Sequence, residues 1–264
     1  MKINTIPISQ WGAALLTDSF NELLSYPALK LPYKNDWAEE NGTEYDLETP
    51  VWDTSEVVLK CYVPAGSYEA FTEALKGNVH NDYTFEKLQK TYRLRLSSIT
   101  IDKALADGIF LSVKLVNDRP FYGYTYVMPQ LSTHDTGALL DGKNIASYGV
   151  RLLQDSREKI LNKGEIKAPL QLQNNAMKGV KVAENAPMVY KEKVVKLKCN
   201  IHQTIANFFT GYEAFFYDLT RAGEHTLTYD NIPYQCVYKD SKVTATLIDE
   251  RSAWVDFDLD LIFV

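Results

Sequence analysis

Apolar and polar residues alternate through Val57, Leu59, Cys61 and Val63, the period-two signature of a strand with one buried face. The period then lengthens. Tyr68, Phe71 and Leu75 fall at i, i+3 and i+7 with Gly77 just beyond, which predicts a short amphipathic helix with a glycine stop. Alternation returns at Tyr92, Leu94 and Leu96, and again at Leu111, Val113 and Leu115. The same succession is written a second time. "VVKLKCN" (194–200) resembles "VVLKCYV" (57–63) and sets Cys199 opposite Cys61. "GYEAFFYDL" (211–219) answers "SYEAFTEAL" (67–75) with Tyr-Glu-Ala-Phe in both, and Gly223 follows the second helix.

The match begins earlier still. "ISQWGAALLTDSFNELL" (8–24) lies over "IASYGVRLLQDSREKIL" (145–161), with Ile, Gly, Leu-Leu, Asp-Ser and a final Leu coinciding and Trp11 facing Tyr148. The Asp-Gly pair in "LLDGKNIASYG" suits a tight hairpin turn, which "INTIPISQWG" matches. About six extra residues fall near "HQTIANFF" (202–209), and "IFLSVKL" (109–115) then lies on "AWVDFDL" (253–259), with Ser112 and Lys114 where Asp256 and Asp258 fall. Such order implies an internal duplication. The expected organisation is a first domain at 1–116, a linker or arm at 117–137 and a second domain at 138–264. Each copy reads as hairpin, loop, strand, helix and strands. The fold class is therefore α+β and β-rich: two tandem β-barrel or sandwich domains, each with one packed helix and its own core. The helices at 67–76 and 211–222 should superpose, placing Phe71 and Phe215 in equivalent core sites. The pattern-poor stretch 26–53 is too long for a plain connection and suits a functional or docking loop.

Composition narrows the function. A chain of 264 residues with 45% hydrophobic content and a mean hydropathy of −0.25 is globular and large enough for two domains. A net charge of −6 disfavours a nucleic-acid backbone as an external partner. "MKINTIPISQWG" lacks the apolar core of a signal peptide, and no apolar run approaches the ~20 residues that span a bilayer. No membrane partner is expected. Cys61, Cys199 and Cys236 are spaced for neither a disulfide framework nor a CxxC site, which fits folding in a reducing cytoplasm.

Candidate chemistry is sparse. "HDTGALLDG" (134–142) contains Asp135-Thr-Gly-Ala, similar to the turn of retroviral-type aspartic proteases, but Thr133 and His134 stand where an apolar strand should lead in. Turn chemistry explains it better. Asp256, Asp258 and Asp260 share one strand face opposite Val255, Phe257, Leu259 and Leu261, either a solvated face or an acidic wall facing a lumen. His80, His134, His202 and His225 show no metal-ligand spacing, and no phosphate-binding, dinucleotide or nucleophile-elbow motif occurs. "NGT" (41–43) fits a glycosylation sequon but has no secretion signal to serve it. No catalytic residue, metal or cofactor is expected, and the chain does not read as an enzyme. In "PFYGYTYVMP" (120–129), Tyr122, Tyr124 and Tyr126 share a face if the segment is extended. Such tyrosines serve a subunit interface, stack on sugars or bury against their own domains.

Each copy also resembles the N-terminal barrel domain of distal tail proteins of long-tailed bacteriophages. The resemblance rests on the opening "INTIPISQWGAALL" (3–16) and "LDGKNIASYGVRLL" (140–153) and on "YKNDW" (33–37), followed by strand, helix and strands. It implies a tail-tube building block assembled into rings through which DNA passes without sequence-specific contact, in company with other tail proteins. It implies a virion protein made in the host cytoplasm, with no catalysis to carry over. Two barrels in one chain depart from the usual single one. With six barrel positions per ring, three such chains should close a ring of pseudo-sixfold symmetry, and a hexamer with the second barrel outside is the competitor. In such a ring Asp256, Asp258 and Asp260 could line the lumen. A carbohydrate-binding or adhesin module is the alternative reading.

Overall fold

The computed structural model describes all residues of the chain except 17–19, 31, 133, 135, 183, 184 and 186. The first half opens with the hairpin β1 (Lys2–Ile3) and β2 (Ile6–Pro7), then passes through a 3-10 turn at Ile8–Trp11 into β3 (Ala14–Leu15). After α1 (Phe20–Leu24) comes a long loop holding the small hairpin of β4 (Lys34–Asn35) and β5 (Glu44–Tyr45). β6 (Ser55–Pro64), α2 (Tyr68–Lys76), β7 (His80–Phe85), β8 (Lys90–Ala104) and β9 (Gly108–Asn117) complete it. The second half runs β10 (Ala138–Leu140), β11 (Lys143–Asn144), a 3-10 turn at Ile145–Tyr148, β12 (Val150–Leu152) and α3 (Ser156–Leu161). The small hairpin β13 (Gln171–Leu172) and β14 (Lys181–Val182) comes next. β15 (Lys193–Thr204), α4 (Ile205–Thr220), β16 (His225–Tyr229), β17 (Ile232–Ile248) and β18 (Ser252–Phe263) follow.

The two halves repeat one topology. Each builds a seven-stranded antiparallel sheet, ordered β2-β1-β7-β8-β9-β6-β3 in the first and β11-β10-β16-β17-β18-β15-β12 in the second. The fold is α+β and β-rich. Registers repeat as well: Leu15 lies opposite Cys61 and Cys61 opposite Leu111, as Leu152 lies opposite Cys199 and Cys199 opposite Phe257. Register shifts at Leu96/Ser98 and Ile101/Lys103 in β8 recur at Tyr238/Asp240 and Val243/Ala245 in β17. Bulges at matching positions bend both long strands alike.

Each sheet must curl. Seven strands laid flat would separate the edge strands by six spacings of ~4.8 Å, roughly 29 Å. Yet β2 and β3 are joined only through the 3-10 turn, Gly12 and Ala13, a path of about 20 Å at most. The same holds for β11 and β12 around Gly149. The sheet therefore rolls until its edges approach, wrapping the apolar face that carries Leu59, Cys61 and Val113 in one half and Leu197, Cys199 and Val255 in the other. Each half's helix plugs the roll. Trp11 meets Phe71 edge-on at 5.9 Å and 66°, and Tyr148 meets Phe215 at 5.5 Å and 67°.

Three details differ from the sequence expectations. α4 begins at Ile205 rather than 211, because Thr204 caps it by accepting the Asn207 amide hydrogen at 3.4 Å and Ile205, Phe208 and Tyr212 extend its apolar face. On the last strand Leu111 corresponds to Phe257 rather than Val255, and Ser112 and Lys114 to Asp258 and Asp260. The β16–β17 turn is two residues shorter than its counterpart and the β17–β18 hairpin four longer, which displaces β18 by an even number and preserves its faces. Finally, the halves do not seal off separate cores: their buried apolar residues form one contiguous cluster, and the Tyr26 ring packs against it from the first half, on Tyr212 and Phe216 of the second. No helix among the described residues is long and apolar enough to cross a membrane.

Candidate functional site

The joint between the halves carries the densest set of unexpected contacts. Tyr26, just past α1, stacks on Phe216 at 4.4 Å and on Phe121 at 5.1 Å, and Trp52 packs on Tyr238 at 5.4 Å. Hydrogen bonds fix this aromatic box. The Tyr212 hydroxyl donates to the Leu24 carbonyl at 2.9 Å and the Tyr238 hydroxyl to the Pro27 carbonyl at 3.0 Å. Beyond the end of β16, strand β17 has an unpaired edge, and the segment 21–27 covers it. There the Val243 amide donates to Ser25 Oγ at 2.9 Å and Thr246 Oγ1 to Asn21 Oδ1 at 2.9 Å. Burial and then the Glu213 carboxylate push the Tyr26 hydroxyl well above the usual tyrosine range.

The long loop reaches farther across. Lys167, a buried lysine of the second half, donates to Asp36 Oδ1 at 2.6 Å, to the Trp37 carbonyl at 2.8 Å and to the Gly42 carbonyl. A lysine is almost never buried unless its three donors are met, and here the loop meets all three. Asn41 Oδ1 accepts the Tyr190 amide hydrogen at 2.8 Å, and the Tyr45 hydroxyl donates to Glu192 at 2.6 Å. The stretch 26–53 is thus a docking loop whose neighbour is the other half of its own chain.

Beside this joint lies a cleft of about 540 Å³, walled by the start of β8, by α4 and by the arm after β9. Lys90 pairs with Glu213 across it and lies 4.4 Å over the Phe209 ring, while Arg93 lies 5.9 Å from the Tyr122 ring. Burial and the Glu213 charge push the Tyr92 and Tyr124 hydroxyls up. With both signs of charge and several aromatic faces, the cleft suits a neutral polar ligand better than an ion.

The arm's tyrosines separate. Tyr122 is exposed, Tyr124 packs on Phe121 at 5.3 Å and on Tyr217 at 5.5 Å, and Tyr126 turns inward. Its hydroxyl donates to Asp218 Oδ2 at 2.7 Å, which also accepts from Tyr148 at 2.6 Å and Lys143 at 3.0 Å. Burial alone would raise the Asp218 carboxyl; these three donors hold it below the ordinary range. Asp256, Asp258 and Asp260 are half-buried in one row opposite the buried Val255, Phe257, Leu259 and Leu261. They do not stand alone. Asn200 donates to Asp256 at 2.6 Å, Lys196 lies 3.8 Å from Asp258 and 3.7 Å from Asp260, and Lys198 and Lys242 flank Asp258 on the neighbouring strands. Asp135 lies outside the described residues. Among the described residues, no three His, Cys, Asp or Glu side chains gather as a metal-ligand set.

Lys167 at the joint and Asp218 under the arm carry little signal in the sequence. Both are single polar residues in unremarkable contexts, and only tertiary contact gives them partners. The Tyr-Glu-Ala-Phe repeat did carry one clue, since Asp218 stands three residues after Phe215 where the first copy has Ala74.

No protein-family model matches the sequence, and no curated protein does. Among solved structures, the chain is similar to the SPP1 Dit (gp 19.1) protein, described as a paradigm of the hub adsorption apparatus in phages infecting Gram-positive bacteria. That similarity has 10% identity and a TM-score of 0.33, over 99% of this chain and 96% of that one.

Proposed function

We propose that this chain is a structural virion protein of a bacteriophage tail, a distal-tail, hub or tube component whose two barrel domains fill two positions of a ring that conducts DNA. The observation that carries the reading is the twice-built sheet with matching strand order, bulges and register, one copy clasping the other through its loop. A chain made this way already contains one unit-to-unit contact of an assembly. The motifs shared with distal tail proteins supply the class of assembly. The domains run 1–116 and 138–264, with the arm 117–137 passing from one to the next. Asp256, Asp258 and Asp260 line the lumen in this reading, and the neighbouring lysines give a wall of mixed charge over which DNA slides. Tyr122, exposed at the arm, meets a neighbouring subunit. Other tail proteins stack above and below, and the role is architectural rather than catalytic.

Mass by light scattering, with averaged images, tests it. Three chains per ring support the pseudo-sixfold arrangement, six favour two concentric layers, and a monomer at high concentration overturns both.

The cleft favours a second reading, a sugar-binding module, because Tyr122, Tyr92 and Arg93 offer stacking faces beside polar groups. Binding on a glycan array that disappears in Tyr122→Ala would select it.

A further inference from the structure

The joint between the halves has an unused duplicate. The hairpin β4–β5 pairs Lys34 with Tyr45 and Asn35 with Glu44, and β13–β14 pairs Gln171 with Val182 and Leu172 with Lys181, enclosing loops of equal length. The bridge Leu29–Trp52 at the base of the first loop recurs as Ile166–Tyr190 in the second. The Lys30 amide donates to the Val51 carbonyl at 2.7 Å, as the Lys167 amide does to the Val189 carbonyl at 2.9 Å. Lys30 and Lys167 are therefore counterparts, and so are the two hairpins.

Their surroundings are opposite. The first hairpin is docked: Thr43 is 6% exposed, and a Cβ on Gly42 would collide with the Val264 backbone. The second hairpin is bare among the described residues. Val180, the counterpart of Thr43, is 41% exposed, Leu172 stands in solvent, and no described atom lies within reach of a Cβ on Gly179, which repeats the left-handed φ of Gly42 (+77° against +66°). Leu24 at the end of α1 is 3% exposed, whereas Leu161 at the end of α3 is 44% exposed.

The receiving surface is likewise used once. Lys167 is buried under the first hairpin, and Lys30 is exposed. β17 beyond β16 is covered by the segment 21–27. β8 beyond β7 has the same unpaired edge, from Leu96 to Ala104, with Ile101 49% exposed where Val243 is buried. An uncovered edge with apolar side chains invites pairing by another chain.

We propose that the second half of one chain docks on the first half of a second copy of this chain, repeating between chains the contact already made within it. The hairpin 171–182 then lies over Lys30, whose ammonium takes the Gly179 carbonyl as Lys167 takes that of Gly42. The end of α3, with Leu161, covers the free edge of β8. The contact is head-to-tail, so it propagates until it closes on itself. The proposal rests on the self-assembling reading above and names the surface it uses.

Two surface variants of the full chain test it, each checked first for an unchanged circular dichroism spectrum. Val180→Asp disables the hairpin and leaves the receiving face; Lys30→Glu does the reverse. Each alone should sediment as one chain of 30.0 kDa, and an equimolar mixture should give only a species of twice that mass. That complementation is the mark of a head-to-tail contact and of these two faces. If either variant misfolds, Lys30→Cys with Asn174→Cys in separate chains, joined by a short bismaleimide, gives the same answer by cross-linked yield. Oligomers that persist in both variants, or an absent cross-link between assembled chains, overturn the proposal and leave the ring reading standing. A wild-type chain that stays monomeric at high concentration overturns both.

Discussion

Asp141 holds His225 through a 2.8 Å contact between its Oδ2 and the ring Nδ1, and its other oxygen accepts the Thr226 amide hydrogen at 2.8 Å. The first half builds the same latch from amides: Asn4 Oδ1 accepts the Asp82 amide hydrogen at 3.1 Å, and Asn4 Nδ2 donates to Asn81 at 3.0 Å. Both Asn4 and Asp141 sit at positive φ in the opening hairpin turn. One latch is neutral, and the other depends on a carboxylate.

That difference makes stability depend on acid in the second half. Burial alone would raise the Asp141 carboxyl, but donors from His225, Thr226 and Arg221 lower it to about 2. A depressed folded value means the contribution is fully present above the unfolded carboxylate range and is lost as pH falls from ~4 through about 2. Roughly 2 kcal/mol is at stake. The double variant Asp141→Asn, His225→Asn should install the first-half latch and flatten urea midpoints over that pH window. An unchanged slope would count against the linkage.

Phe71 and Phe215 occupy matching sites under Trp11 and Tyr148. Truncating either to Ala should cost about 3–5 kcal/mol, since both rings are buried and neither cavity can collapse freely. Equal losses in chemical denaturation are the expected result; a near-neutral Phe71→Ala would break the equivalence.

Tyr26 couples the halves rather than filling either sheet's interior. Tyr26→Ala should remove roughly 3 kcal/mol of stacking and burial and split a single unfolding transition into two. Differential scanning calorimetry reads this directly.

Lys167→Met leaves the carbonyls of Trp37 and Gly42 without their donor. We expect a loss of about 2 kcal/mol and faster amide hydrogen exchange across 36–45, with the sheets' exchange unchanged. Uniform acceleration would place the effect elsewhere.

All three thiols are buried, and burial pushes Cys61 and Cys236 up to about 12. A thiol reagent near pH 8 should find them unreactive in the native chain and label all three in denaturant.

The alternation through Val57–Val63 and the Tyr-Glu-Ala-Phe helices were legible because period and identity coincide there, and the structure sets Cys61 and Cys199 in the same register. The repeated loop was not. Between Lys34–Tyr45 and Gln171–Val182 the backbone repeats while the side chains do not, because one hairpin is docked and the other is bare, so different residues suit each. The displacement of the last strand leaves no mark on the pattern for a related reason. An even shift keeps the apolar face inward, so either alignment satisfies the alternation. The length of 26–53 marked a docking loop, but its partners were illegible, because Asp36 meets Lys167 and Tyr26 meets Phe216 only across the fold.

The clasping loop also sets an order in time. Tyr45 and its partner Glu192 are 147 residues apart, so at ~5–20 residues per second the ribosome delivers the partner about 7–30 s after the loop has emerged. For that interval the first half can fold its sheet while its loop has nothing to hold. A release of the nascent chain before Tyr190 would yield a half-molecule whose loop is still open, so completion of the polypeptide and closure of the clasp become one event.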